Sequence, residues 1–159
     1  MTDHPITVTV NGAVRTAHVE PRTSLAEVIR HEFRLTGTHV ACEQGVCGAC
    51  TVLLDGAPVR ACLMLAVQAD GAQIETVEGL AEPSGRLAAL QTAVMEEHGL
   101  QCGFCTPGIL MSLTFADRAD LSADQVTDDV MLGHLCRCTG YAGIRAAIER
   151  HWREKESAE

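Results

Sequence analysis

Eight of the 159 residues are cysteine, and they fall into two quartets. The first is Cys42-x4-Cys47-x2-Cys50, with Cys62 following after eleven intervening residues. The second is Cys102-x2-Cys105, followed after thirty intervening residues by Cys136-x-Cys138. A disulfide framework is a poor reading of this pattern. The chain is long enough to bury a core of its own, and its cysteine content is below that of disulfide-stapled mini-proteins. A Cys-x-Cys pair also fits disulfide geometry badly within the pair. Two metal centres account for all eight thiols.

The first quartet has the C-x4-C-x2-C…C spacing of plant-type [2Fe–2S] ligation. By formal count such a centre, with its four thiolates, carries a charge of roughly −2 oxidised and −3 reduced. It therefore needs surrounding N–H donors. A tight loop supplying three ligands provides them, and Gly45 and Gly48 allow the backbone to come close. Cys62 is expected from a neighbouring return strand, closing the site. The alternative is a zinc site of four cysteines, but zinc ligands tend to come as two short pairs rather than three plus one.

The second quartet does come as two short pairs, so taken alone it is also a zinc signature. Two features favour a second iron–sulfur centre. Each pair stands just before an expected helix start, whose positive end suits an anionic group. Arg137 also lies between two of the thiols, where a cation offsets negative charge or pairs with a neighbour.

Hydrophobic periodicity divides the chain in two. Ile6–Val10 alternates as a strand, Asn11-Gly12 signals a type I′ hairpin turn, and Val14–Glu20 returns. Ser24 with Glu27 forms a capping box for a helix that buries Leu25, Val28, Ile29 and Phe33 and is expected to stop at Gly37. Thr51–Leu54, the turn Asp55-Gly56, Val59–Leu65 and Gln73–Val77 complete a ββαβββ pattern. The remainder carries helical signals only. These predict helices over Arg86–His98, Pro107–Asp117 (Thr106 as its cap), Ser122–Leu132 and Gly140–Arg153 (Thr139 before it), then a frayed polar tail, Glu154–Glu159. A short connection over residues 78–85, including Pro83, joins the halves. The expected fold is α+β: a ferredoxin-like β-grasp domain over residues 1–77, then an all-α four-helix domain over 78–159.

Several function classes have no support in the residues. Net charge is −9 with no basic block, which disfavours nucleic acid or an anionic membrane surface as partner. The apolar runs near Cys62–Val67 and Gly108–Leu113 are too short to span a bilayer, and residues 1–20 lack a signal-peptide core, so a cytoplasmic location is expected. Gly45-x-x-Gly48 is a thiol loop rather than a phosphate cradle. The seven histidines (4, 18, 31, 39, 98, 134 and 151) show no metal-ligand spacing and read as surface or supporting residues. Phe104 reads as core packing, with a functional role beside the second quartet as the alternative. No catalytic residue is visible.

Together with these quartets, the runs Gln101-Cys102-Gly103-Phe104-Cys105-Thr106-Pro107-Gly108 and Cys136-Arg137-Cys138-Thr139-Gly140-Tyr141 resemble the iron–sulfur subunit of the xanthine dehydrogenase/carbon monoxide dehydrogenase family of molybdenum hydroxylases. The resemblance spans residues 5 to about 150. It implies an electron-transfer subunit with two [2Fe–2S] clusters. A large partner subunit would hold the molybdopterin cofactor and a medium one FAD, in a heterotrimer that can pair into a dimer. Cys102, Cys105, Cys136 and Cys138 would lie near the pterin, with Gln101 and Cys102 closest to it. Cys42, Cys47, Cys50 and Cys62 would face the flavin. The family often has Asn where this chain has His134, and the frequent Asn-Pro is missing from 119–122. The alternative reading is a free-standing two-cluster carrier with exchangeable partners.

Overall fold

A computed structural model describes residues 3–82 and 84–157. Pro83, in the expected connection, lies outside the described residues, as do the last two residues of the polar tail. The first half is a five-stranded mixed sheet of order β2-β1-β5-β3-β4. Its strands are β1 (His4–Val10), β2 (Ala13–Val19), β3 (Thr51–Leu54), β4 (Ala57–Arg60) and β5 (Gln73–Glu75). β1 and β2 form an antiparallel hairpin with Ile6 opposite Ala17 and Val10 opposite Ala13. β5 runs parallel to β1 and antiparallel to β3. Strict alternation in β1 sends Ile6, Val8 and Val10 inward, as the period-2 pleat requires. Both hairpin turns place two successive residues at positive φ, Asn11 (49°) with Gly12 (79°) and Asp55 (49°) with Gly56 (82°), the type I′ signature.

Helix α1 (Leu25–Glu27) crosses this sheet and continues as a π-helical turn over Val28–Glu32. The capping box is formed: Glu27 N–H donates to Ser24 Oγ at 3.2 Å, and Ser24 N–H donates to the Glu27 carboxylate at 2.8 Å. Leu25, Val28, Ile29 and Phe33 are buried as expected. The helix ends earlier than Gly37, because Phe33 N–H reaches back five residues to the Val28 carbonyl and Arg34 then adopts φ 59°.

The second half contains α2 (Ala89–Glu96), α3 (Thr106–Arg118), α4 (Ala123–Gln125) and α5 (Ala142–Glu156). α4 continues through a π-helical turn (Val126–Val130) and a 3-10 turn (Met131–Gly133). A second core gathers Leu90, Val94, Ile109, Leu113, Ile148 and Trp152, separate from the one under the sheet. α2 packs on α5, and α3 lies against β3.

Five local expectations are corrected. β4 stops at Arg60, so Cys62 lies in the following turn rather than in a strand; Leu63 N–H closes that turn onto the Arg60 carbonyl. α2 starts at Ala89 because Glu82 and Arg86 close a turn of their own, leaving Leu87 outside the helix and exposed. Cys105, not Thr106, is the N-cap of α3, and Tyr141 at φ 66° rather than Thr139 caps α5. α5 runs on to Glu156, since Arg150 pairs with Glu154 and Lys155 with Asp117 and Asp120.

Candidate metal centres

Residues 33–50 form one long loop without helix or strand, delivered into β3 at Thr51. Cys42 Sγ accepts N–H bonds from Gln44 (3.5 Å) and Cys47 (3.4 Å). These donors pull its pKa down to about 6, because hydrogen bonds to a thiolate favour the charged form. Cys50 is buried at the mouth of β3, and burial pushes its thiol up to about 11. The Cys47 side chain adds to the lowering of Cys42, and Cys62 neighbours Cys50.

The second quartet likewise has one buried thiol. Cys138 Sγ lies 3.5 Å from Cys102 Sγ, and both are exposed. Cys105, at the start of α3, is buried and partnered by Cys136. Burial raises Cys105 to about 12. Burial also opposes ionisation of Cys136, but the Thr139 hydroxyl (3.1 Å) and the N–H groups of Thr139 and Cys138 outweigh it and lower its pKa. Cys138 is raised by sharing its proton with Cys102. Phe104 N–H donates to Cys102 Sγ at 3.5 Å.

Four thiols per quartet match the ligand count of a [2Fe–2S] group, which Cys42, Cys47, Cys50 and Cys62 would hold in the first half and Cys102, Cys105, Cys136 and Cys138 in the second. The N–H bonds onto Cys42 and Cys102 supply the donors such an anionic centre requires. Both quartets fit the [2Fe–2S] group.

A tight seam joins the two quartets. Leu135 N–H, beside Cys136, donates to the Cys47 carbonyl at 3.0 Å. Arg60 bridges Thr51 Oγ1 and the Gly133 carbonyl (2.7 Å to the latter). His134 is buried, with Nε2 2.8 Å from Ser112 Oγ on α3 and Nδ1 against Gly48. Burial, helped by the Arg60 charge, drops the His134 pKa to about 4, so its ring is neutral. Gly48 has φ 78°, and a Cβ there would collide with His134.

Residues 8–81 match the family model of the 2Fe-2S iron-sulfur cluster binding domain, and residues 76–149 match that of the [2Fe-2S] binding domain. Subunit gamma of caffeine dehydrogenase from Pseudomonas sp. (strain CBB1) is 57% identical over 153 residues, covering 94% of this chain and 91% of the relative. The nicotine 6-hydroxylase small subunit of Paenarthrobacter nicotinovorans is 50% identical over 144 residues, covering 90% and 86%. The crystal structure of quinoline 2-oxidoreductase from Pseudomonas putida 86 superposes with a TM-score of 0.90 at 48% identity, covering 99% of this chain and 98% of that one. The chain belongs to the iron–sulfur small subunits of the molybdenum hydroxylases.

In this small subunit Gln101, Cys102 and Cys138 all lie at the surface. Gly45, at φ 76°, packs against Leu63. Arg137 is exposed and forms no ion pair among the described residues. Phe104 is 44% exposed and stacks on His39, so it is not a core residue. Sequence reasoning gave Arg60 and Tyr141 no supporting role and did not separate His39 and His134 from the other five histidines. Tyr141 Oη accepts from Cys136 N–H (2.8 Å) and donates to the His134 carbonyl (3.1 Å). Among the described residues no helix is long and apolar enough to cross a membrane.

Proposed function

We propose that this chain is the electron-transfer subunit of a molybdenum-containing hydroxylase or dehydrogenase, relaying electrons from a molybdopterin site to FAD or another acceptor. Two thiol quartets, each receiving backbone N–H bonds and joined by a hydrogen-bonded seam, carry this reading. Cys42, Cys47, Cys50 and Cys62 would hold one [2Fe–2S] cluster on a ferredoxin-like β-grasp domain, residues 1–77. Cys102, Cys105, Cys136 and Cys138 would hold the other on a helical domain, residues 78–159. When bound, each cluster takes up and releases one electron.

The chain's own residues do the rest. Backbone N–H groups of Gln44, Cys47 and Phe104 offset thiolate charge. Cys50 and Cys105 are anchored in the two halves' interiors. The Cys47 carbonyl and Leu135 amide bridge the halves, leaving only one hydrogen bond between covalent paths from the two quartets. Exposed Gln101 and Cys102 would meet the pterin of a large molybdopterin subunit, and the Cys42 loop a medium FAD subunit, in a cytoplasmic dimer of heterotrimers. The relatives' designations as subunit gamma and small subunit support an assembly of this kind.

Iron and acid-labile sulfide analysis tests the reading. The expected result is roughly four of each per chain, two per cluster, with two distinct EPR signals on reduction. Zinc without sulfide would refute it.

A further inference from the structure

His39 belongs to the long first loop, three residues before Cys42, yet it reaches the second quartet. Its ring stacks on Phe104 with centroids 4.7 Å apart and an interplanar angle of 22°. Its Nδ1 lies 2.8 Å from the Phe104 carbonyl. A carbonyl only accepts, so Nδ1 carries the proton and donates. Phe104 is therefore held twice, by ring and by backbone, from the opposite half of the molecule. On the other side of its Cα, Phe104 N–H donates to Cys102 Sγ at 3.5 Å. Phe104 is otherwise poorly restrained, being 44% exposed and flanked by Gly103 at φ 78°.

We propose that His39 is a positioning residue for the second centre: by clamping Phe104 it holds the Phe104 amide on Cys102 Sγ. The proposal rests on the electron-transfer reading above. An N–H bond to a ligating sulfur favours the more negative, reduced form and so raises the potential. Losing the clamp lowers the potential of the second centre and leaves the first unchanged, although His39 is much closer in sequence to the first.

The test is an EPR-monitored redox titration of the assembled native complex carrying His39→Ala, His39→Asn or Phe104→Leu. His39→Ala should lower the reduced-to-oxidised ratio of the second centre about tenfold at a given potential, a shift of ~59 mV for a one-electron couple. The first centre's midpoint should not move. His39→Asn keeps a donor near Nδ1 without the ring and should recover part of the shift. Phe104→Leu keeps the backbone bond without the stack and should show a smaller shift of the same sign. Unmoved midpoints, or both centres moving together, would overturn the proposal. If His39→Ala fails to assemble, the other two variants decide by the same criterion. Absence of both EPR signals from the wild-type complex would instead overturn the underlying electron-transfer reading.

Discussion

Gly108 occupies the first turn of α3, where its φ is ordinary and alanine would be favoured by about 1 kcal/mol on helix propensity alone. The structure reverses that sign. A Cβ at Gly108 would run into the Gly48 carbonyl oxygen and lie 3.0 Å from that of Ala49, both backbone atoms of the first thiol loop. Gly108→Ala should destabilise the chain by about 1–3 kcal/mol, as overpacking does, and weaken coupling across the seam. Chemical denaturation measures the first effect, and the magnetic interaction between the two reduced centres measures the second. A variant as stable as wild type would show that the halves are not in fixed contact there. At the second quartet, Cys102→Ser replaces an exposed thiol bonded to Cys138 and Phe104 N–H. It should remove or alter one EPR signal, leave the other intact and block electron flow from substrate to acceptor. Unchanged turnover of the assembled complex would contradict the assignment of Cys102.

Among the elements, α3 and α5 illustrate how magnitudes separate decoration from support. Arg118 at the end of α3 makes two hydrogen bonds to Glu75 on β5, at 2.8 and 2.9 Å. Both side chains are substantially exposed, 53% and 37%, and exposed pairs contribute about 0.2–1 kcal/mol. Arg118→Ala should therefore change stability by less than about 1 kcal/mol. Trp152 on α5 is buried in the helical core and donates from Nε1 to the Leu121 carbonyl at 2.6 Å. Trp152→Ala should cost about 3–5 kcal/mol, and a smaller loss than that of Arg118→Ala would invert the ranking. The sheet strands, both type I′ turns and the Ser24–Glu27 box were legible because each depends on neighbours in sequence. The ends of α1, α2 and β4 were not, because they are set by a π-turn at Val28–Phe33, a Glu82–Arg86 turn and the Arg60–Leu63 turn. The thiol spacing was likewise legible as a local pattern. Its partners were not: His39 meets Phe104 across 65 positions and Arg60 meets Gly133 across 73, separations that no periodicity encodes.

Across the whole molecule, the regular elements and the thiol loops have different sources of order. The sheet core and the helical core are each closed by apolar side chains. The loops over 33–50 and 134–141 contain no helix or strand, and loops longer than about 12–15 residues are uncommon unless they carry function. The seam forms where these loops meet each other and residues reaching in from elsewhere: Cys47 with Leu135, Arg60 of β4 with Gly133, Gly48 with His134, His39 with Phe104. Metal binding at such sites contributes directly to folding free energy. Removing iron should therefore release the loops first and uncouple the halves while both cores persist. Hydrogen exchange on the chelated chain should show lost protection at Leu135 and across 34–50, with amides of β1, β3, α3 and α5 still protected. Calorimetry should resolve two transitions where the loaded chain shows one. Protection at Leu135 that survives iron removal would mean that the seam holds without the centres, and that the two halves dock through the protein contacts alone.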